Sequence, residues 1–319
     1  MASCELRSDS IRVLPSLSGG SMRIAHLSDL HIDSPDFLRI SELFWGILPN
    51  RRILGAANFV FGRSSVHSLE VLRAAVNAVD DARADHCVVT GDLSNLAIDA
   101  EFRFVRSVLD GIGGPERLSL VPGNHDCYTP ESVRSRRFER HFGDLIDPLA
   151  GADVTFPAHK DIQGCRLILA RTPTRTPPGF SYGRLGTQQM ERILTLATEA
   201  AGQGMFVILA QHHHLNPRKG LNELTGPFKD REMELAMIAQ SPISVVIHGH
   251  DHRHHDWEVC SKAPCGKTRI ICCGSSTYMD SKRDRFGRMT VLEITNGELQ
   301  VEKWMYQPDR GRFAPLREN

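Results

Sequence analysis

The chain has 319 residues, and its 38 Lys and Arg residues balance 38 Asp and Glu residues, so the formal net charge is zero with neutral histidines. This length is enough to bury a sizeable core, and no Pro/Gly/Ser-rich linker divides the sequence, which favours one large domain. The balanced charge argues against a nucleic-acid-binding protein, because such proteins usually carry a basic excess.

The N-terminal 21 residues are rich in serine and lack the apolar core of a signal peptide. We expect a disordered tail there, or an extension upstream of a natural start at Met22. No stretch of the sequence approaches the roughly 18 apolar residues of a membrane-spanning helix. Eight cysteines without the spacing of a disulfide framework indicate a reduced, cytoplasmic chain. A zinc site built from Cys260, Cys265, Cys272 and Cys273 is a less favoured alternative.

Apolar runs alternate with segments of helical periodicity along the chain. The runs predict strands at residues 23–28, 86–90, 118–121, 166–170, 205–210 and 244–247. The periodic segments predict helices at residues 66–82, 99–109, 131–142, 187–201 and 230–239. From His254 to Tyr306, short apolar runs and turns such as Asn296-Gly297 predict antiparallel strands. We place one domain at residues 22–307 and a C-terminal tail at residues 308–319.

Residues 34–64 interrupt this alternation with an apolar and aromatic insertion, in which Arg residues are interspersed with Phe, Trp, Leu and Ile, chiefly at 37–61. Three interpretations are open for this segment: an arm packed on the domain, a lid over the active site, or an interfacial anchor that contacts a membrane or lipid. The last interpretation places a cytoplasmic protein at the periphery of the inner membrane.

Five short polar clusters follow the apolar runs, where the predicted strands end. They are Asp29-Leu30-His31, Gly91-Asp92, Gly123-Asn124-His125-Asp126, His212-His213-His214 and Gly249-His250-Asp251-His252. Strand ends bring their last residues together along one edge of a sheet, which is where α/β proteins build their sites. One such cluster arises easily by chance, whereas five in series predict a functional site.

The side chains of these clusters offer oxygen and imidazole ligands without a thiolate, and this set suits Mn, Fe or Zn. The one-residue spacer lets Asp29 and His31 leave the strand end on the same side and hold one ion together. The glycine before Asp92 lets this carboxylate lie deep, where it can bridge two cations. The sequence therefore predicts a site for two metal ions.

Further ligands come from the third and fifth clusters. Asn124 adds a neutral amide oxygen, and His250 and His252 have the same spacing as the first cluster and can reach different ions. Two ions about 3.5–4 Å apart can hold a hydroxide and clamp a phosphoryl group, so no Ser or Cys nucleophile is needed.

His125 is expected beside the metal ions, where its imidazole can stabilise charge on the phosphoryl group or protonate the leaving group. Asp126 is expected to orient this ring as a catalytic partner. Arg171 and Arg175, on a Pro-rich loop after a strand, are candidate contacts for substrate phosphate, as is His213.

The series D-x-H, GD, GNHD, His-rich turn and GHxH resembles the calcineurin-like metallophosphoesterase family over about residues 23–253. The resemblance implies an α/β fold, a four-layer α/β/β/α sandwich of two mixed sheets flanked by helices, with the C-terminal strands in the second sheet. It also implies a catalytic His125 and two metal ions whose ligand sets share Asp92. The first set is Asp29, His31, Asp92 and His252, and the second set is Asp92, Asn124, His212 and His250.

The fourth motif departs from the His-His-Pro usual in the family, because His212-His213-His214 is followed by Leu215. We prefer His212 to His213 as the ligand, since it is the first of the histidines after the strand and Gln211.

We therefore predict a binuclear metal-dependent phosphohydrolase that cleaves a phosphodiester or pyrophosphate bond of a small or nucleotide-type substrate by attack of a metal-bridging hydroxide. An alternative is a UDP-2,3-diacylglucosamine pyrophosphatase of lipid A synthesis, because segment 37–61 of the insertion resembles the apolar insertion of some of those enzymes. A metal-free scaffold with the same fold is disfavoured, because every ligand position is filled.

Overall fold

The computed structural model describes residues 21–33, 66–127, 129–176, 180–216 and 226–316. In chain order the strands are β1 (Met22–Leu27), β2 (His86–Val89), β3 (Leu118–Leu120), β4 (Ala158–Ile162), β5 (Cys165–Leu169), β6 (Phe206–Ala210), β7 (Val245–His248), β8 (His255–Cys260), β9 (Lys267–Cys272), β10 (Met279–Asp280), β11 (Arg285–Phe286), β12 (Arg288–Thr295), β13 (Glu298–Gln307) and β14 (Arg312–Pro315). The helices are α1 (Leu69–Asp81), α2 (Asp99–Leu109), α3 (Pro130–Arg134), α4 (Arg137–Ile146), α5 (Thr187–Gly202) and α6 (Arg231–Gln240).

Two six-stranded mixed sheets organise these elements. The first sheet has the order β14-β13-β12-β1-β2-β3, and the second has the order β4-β5-β6-β7-β9-β8. In the first sheet β1, β2 and β3 are parallel, and β12 to β14 extend it antiparallel on the other side of β1. In the second sheet β5, β6, β7 and β9 are parallel, and β4 and β8 pair antiparallel at the edges.

The layers follow from the alternation of side chains along each strand. Ile208 and Ala210 of β6 belong to the larger core, which also contains residues of both sheets and of α1, α2 and α4. Val207 and Leu209 of the same strand belong to a second core with residues of α5 and α6. The order of layers is therefore α/β/β/α, and the predicted fold class is confirmed.

Helix α1 begins three residues later than the predicted helix, because Ser68 is its N-cap. The Ser68 Oγ accepts a hydrogen bond from the Val71 N–H at 3.4 Å, which satisfies one of the open donors of the first turn. The helix then buries Leu72, Ala75 and Val79 at helical spacing, as the apolar stripe predicted.

The prediction of one continuous helix at 131–142 is wrong, because the structure has two helices there, α3 and α4. Arg136 lies between them with a left-handed φ of 48°, which ends the first helix and changes the direction of the chain. Arg137 serves the fold, since it is buried and pairs with Glu131 and Asp99, whereas Arg134 and Arg140 are exposed.

Two expectations for the C-terminal strands are corrected. They do not all join the second sheet, because β12 to β14 pair beside β1 in the first sheet. The predicted tail at 308–319 is also wrong in part, because Arg312–Pro315 forms β14 and pairs with β13. Burial of Phe313 against the core explains why this strand stays on the domain.

The predicted tail at 1–21, except Ser21, and the predicted insertion at 34–64 lie outside the described residues. Among the helices in the described ranges, none combines the length and the apolar character needed to cross a membrane. The cysteines in these ranges are free. Cys260 pairs across from Lys267 and Cys272 across from His255, so they lie at opposite ends of the β8-β9 pair. A separation of about 17 Å along a strand excludes a shared zinc site.

Candidate metal centre

The five predicted clusters lie where strand ends of both sheets meet. The first sheet delivers Asp29, Asp92 and Asn124 after β1, β2 and β3, and the second delivers His212 and His250 after β6 and β7. A hydrogen bond of 3.0 Å from the His250 N–H to Asp29 Oδ1 joins the two sides. The site therefore lies between the ends of two sheets, and the expectation of a single sheet edge is wrong.

The backbone at this site has an unusual conformation. Positive φ angles between 47° and 72° occur at five of the seven predicted ligands, which are Asp29, His31, Asp92, His250 and His252. Residues other than glycine adopt such angles at a cost, and they persist where the surrounding structure enforces them. The repeated left-handed residues turn the chain at each strand end and direct the side chains into one region.

Two glycines allow the loops to approach each other closely. A Cβ atom on Gly123 would lie 2.2 Å from both the backbone nitrogen and Oδ1 of Asp92. A Cβ atom on Gly249 would lie 1.9 Å from Ser28 Oγ. Any larger residue would separate the loops, so these glycines are part of the geometry of the site.

The first group of potential ligands contains Asp29, His31, Asp92 and His252, whose ligand atoms all lie within 4.8 Å of one another. His31 Nε2 is 3.3 Å from His252 Nε2 and 3.5 Å from Asp92 Oδ2. His252 Nε2 is 3.6 Å from Asp29 Oδ1. Four donor atoms thus converge as the ligands of one ion do, in the set that the family resemblance implied.

The second group contains Asp92, His212 and His250, again within 4.8 Å. His212 Nε2 is 3.5 Å from Asp92 Oδ2 and 3.0 Å from Asn124 Oδ1. His250 Nδ1 is 2.9 Å from the same amide oxygen and 3.2 Å from His212 Nε2. The structure therefore brings all seven predicted ligands together, with Asp92 Oδ2 common to both groups.

The tautomer of His212 fits metal binding. Its Nδ1 lies 2.7 Å from the backbone oxygen of Thr90. A carbonyl oxygen can only accept a hydrogen bond, so Nδ1 carries a proton, and Nε2, which faces Asp92 and Asn124, is the nitrogen left to bind a metal ion. Histidines that bind metals are oriented in this way, by donating the other ring N–H to a neighbouring oxygen.

The electrostatics of the two carboxylates also fit a cation. Burial raises the pKa of Asp29 to about 7, where His212 opposes the rise and Asp92 adds to it. Burial would likewise raise the pKa of Asp92, but His212 and His125 hold it well below its ordinary value. Among the described residues, the ion pairs of these two carboxylates are formed with imidazoles alone. Metal ions would supply the missing positive charge.

His125 lies beside the first group. Its backbone N–H donates to Asp92 Oδ1 at 2.8 Å, and its ring meets the ring of His31 edge-on, with centroids 4.9 Å apart. The ring Nδ1 is 3.0 Å from the backbone oxygen of Asn95 and must therefore carry a proton. Nε2 is the atom that can gain or release a proton during a reaction.

Asp126 has a different role from the one predicted. Its carboxylate accepts backbone hydrogen bonds of 2.9–3.1 Å from Gly123, Leu93 and Ser94. Because these bonds connect the loop after β2 to the loop after β3, Asp126 fixes the positions of both loops. The orienting contact of the His125 ring is the Asn95 carbonyl, so the expected His125–Asp126 pair is wrong.

His213 packs against the second group, with its ring centroid 4.6 Å from that of His250, but its nitrogens face other partners. Its Nδ1 is 2.8 Å from Thr172 Oγ1, its Nε2 is 3.1 Å from the Ser181 backbone oxygen, and its ring stacks on Phe228. The side chain is fully buried, so the predicted contact with substrate is wrong, and His212 is the histidine of this motif that lies in a group of potential ligands. The physical reason is that the nitrogens of His213 face Thr172 and the Ser181 carbonyl, whereas His212 Nε2 faces Asp92.

The two predicted phosphate contacts on the loop after β5 lie outside both groups. Arg171 is paired with the buried carboxylate of Glu139 and also donates to Cys127 Sγ at 3.5 Å. It therefore holds this loop to α4, which corrects its expected role in substrate binding. Arg175 is exposed further along the loop.

Two residues near the site were missed. His67 forms a third group of potential ligands with His31 and His252, and its ring centroid is 4.8 Å from that of His31. Asn95 donates to the backbone oxygen of His31 at 2.9 Å and to Asp33 at 2.7 Å, beside the carbonyl that holds His125. Neither belongs to a motif with recognisable spacing, so only the folded chain identifies them.

Comparison with known proteins identifies the family of the chain and supports its fold. The sequence profile of the calcineurin-like phosphoesterase family matches residues 22–254. No curated protein sequence matches the chain. A dimetal phosphatase from Danio rerio has a similar structure with a TM-score of 0.55 and 16% sequence identity, covering 92% of this chain and 98% of the other. The purple acid phosphatase PPD1 from yellow lupin (Lupinus luteus) has a TM-score of 0.58 and 12% identity, covering 94% of this chain and 54% of the other. The chain therefore belongs to the calcineurin-like phosphoesterase family, whose members hydrolyse phosphoester bonds at a binuclear metal centre.

Proposed function

We propose that this protein hydrolyses a phosphodiester or pyrophosphate bond in a small, nucleotide-type substrate with the help of two metal ions. The observation that carries the proposal is the position of Asp92 Oδ2, which is 3.5 Å from both His31 Nε2 and His212 Nε2. One buried carboxylate oxygen lies between two sets of ligands, as a bridging ligand does.

The residues that would hold the ions follow from the two groups. Asp29, His31, Asp92 and His252 would hold the first ion, and Asp92, Asn124, His212 and His250 the second. Bound there, Mn, Fe or Zn would activate a water molecule and stabilise negative charge on the phosphoryl group.

His125 would supply the proton. Its Nδ1–H is committed to the Asn95 carbonyl, so the ring can give a proton from Nε2 only as the imidazolium. A cation beside the first group would attract the phosphate and then protonate the departing oxygen. The thiol of Cys127 does not compete as a nucleophile, because burial raises its pKa to about 12 and keeps it protonated.

The test compares bis(p-nitrophenyl) phosphate with p-nitrophenyl phosphate on chelator-stripped protein, before and after addition of Mn²⁺. We expect Mn²⁺ to restore cleavage of the diester. Asp92→Asn should lose bound metal and activity together, whereas His125→Asn should keep both ions while kcat falls by about 10²–10⁴-fold. Asp309→Asn, on an exposed turn, is the control and should retain both.

Three results would contradict the proposal. If the rate of diester cleavage does not change on chelation, the reaction does not require metal ions. If Asp92→Asn still binds two ions per chain, Asp92 is not a bridging ligand. Hydrolysis confined to the monoester would reject the substrate class. UDP-2,3-diacylglucosamine in detergent is assayed in parallel, because the segment 34–64 on which that alternative depends lies outside the described residues.

A further inference from the structure

A cavity of about 300 Å³ adjoins the metal centre and is not used by the groups described above. It lies between the loop after β7, the β10-β11 hairpin and the ends of β12 and β13. His252, a member of the first metal group, is part of its wall. Ser275, also in the wall, donates through Oγ to the backbone oxygen of Asp29 at 2.8 Å. The cavity therefore opens directly beside the first ion position.

The wall of this cavity is strongly basic. Arg253, Arg285, Arg288 and Lys303 line it, against the single carboxylate of Asp284. Within the described part of the chain, the guanidinium groups of the three arginines form no ion pair and no side-chain hydrogen bond. An excess of positive charge in a concave wall attracts an anion, because the surrounding protein concentrates the field.

This lack of partners distinguishes Arg285 and Arg288 from the other half-buried arginines of the described chain, because those are paired and the remaining arginines without a partner are exposed. Arg106, Arg166 and Arg269 each form two-pronged pairs with a carboxylate. Arg288 is half-buried, and burial lowers its pKa below the ordinary value, although Cys273 and Asp284 offset part of the effect. A half-buried guanidinium without a paired anion is destabilised, and a bound phosphate would relieve this.

Aromatic side chains complete the cavity. Tyr278, Phe286 and Trp304 lie in its wall. The ring of Tyr278 packs against the ring of His67 at 4.9 Å and that of His252 at 5.8 Å between centroids. Aromatic faces beside guanidinium groups suit a ligand that has both a planar ring and a phosphate.

We propose that this cavity binds a second phosphate of the substrate, so that the preferred substrates are nucleotides with two linked phosphates. This inference rests on the proposed function, because one phosphate must lie at the metal centre while its neighbour reaches Arg288 and Arg253. Because His252 belongs both to the first metal group and to the cavity wall, the positions of the two phosphates adjoin each other. The aromatic residues of the wall would contact the nucleoside.

The experiment measures inhibition of Mn²⁺-dependent bis(p-nitrophenyl) phosphate cleavage by ADP and by AMP. We expect both to compete with the substrate and ADP to have an inhibition constant about tenfold lower than AMP, since charge-assisted hydrogen bonds are added. Arg288→Gln and Arg253→Gln should abolish this ADP-to-AMP ratio. Arg283→Gln, an exposed arginine on the same hairpin that pairs with Asp280, should preserve it. The ratio is internal to each variant, so a partly unfolded preparation does not change it.

Two outcomes would overturn the inference. If ADP and AMP have nearly equal inhibition constants for the native protein, the second phosphate adds no affinity. Noncompetitive inhibition by ADP would assign the cavity to an independent effector anion. Calorimetric titration of ADP and AMP into chelator-treated protein separates this inference from the proposed function. If ADP binds more tightly than AMP in this titration and Arg288→Gln removes the difference, the cavity binds the second phosphate even if no ester is cleaved. If the native protein cleaves the diester but binds ADP and AMP equally, only the inference about the cavity is refuted.

Discussion

A buried glutamate on α6 gives a prediction about stability and pH. Glu234 is fully buried, and one of its oxygens accepts a hydrogen bond from Gln211 Nε2 at 3.3 Å. Within the described residues, its other oxygen and Gln211 Oε1 have no hydrogen-bond partner. Burial raises the pKa of Glu234 to about 8 from 4.5, more than the Gln211 contact lowers it. The folded chain therefore keeps a proton on Glu234 at neutral pH.

The sign of the effect on stability follows from proton binding in the two states. Between the unfolded pKa of 4.5 and the folded pKa of about 8, the unfolded chain releases a proton that the folded chain retains. The free energy of unfolding therefore falls as pH rises through this window, by about 1.4 kcal/mol per pH unit. From pH 6 to pH 8 the loss from Glu234 amounts to about 2 kcal/mol.

Glu234→Gln removes this titration and keeps the size of the side chain. We expect the free energy of unfolding of the variant, relative to the native protein, to increase by about 2 kcal/mol between pH 6 and pH 8. The assay is urea denaturation followed by circular dichroism at both pH values with the same metal content. Glu232→Gln, an exposed glutamate on the same helix, is the matched control and should show no such increase. A difference that stays constant with pH would refute the reasoning.

Two further predictions concern the metal centre. Gly123→Ala should cost about 1–3 kcal/mol and lower metal content, because its Cβ would overlap Asp92, as measured by denaturation and elemental analysis. Gly202→Ala is the control, because its Cβ meets open space at the end of α5, and it should keep both its stability and its metal content. Equal losses in the two variants would contradict the steric explanation. Added Mn²⁺ at a hundredfold excess over its dissociation constant should raise the free energy of unfolding by about 2.7 kcal/mol, and Asp92→Asn should lose this gain. If neither Mn²⁺ nor chelator changes the melting temperature of the native protein, the metal site is contradicted.

The sequence alone predicted the strands of the site and the candidate ligands at their ends. Strand β1 and the Asp29 to His31 cluster were predictable because an apolar run followed by polar residues is a local pattern, and spacing along a strand determines which side chains share a face. The same local reasoning gave α2 its bounds, Asp99–Leu109. Five such patterns in one order identified the family as well.

Only the tertiary structure decided which partners these residues have. Asp126 and Arg171 carry the charges expected of functional groups, yet Asp126 contacts the backbone of Leu93 and Arg171 pairs with Glu139, each more than 30 residues away in the sequence. The assignment of β12 to β14 to the first sheet depends in the same way on pairing with β1 across more than 250 residues of chain. Local spacing contains no information on such long-range contacts, because they arise from the packing of whole layers. The cavity beside His252 is the clearest case, since loops and strands from three parts of the chain enclose it.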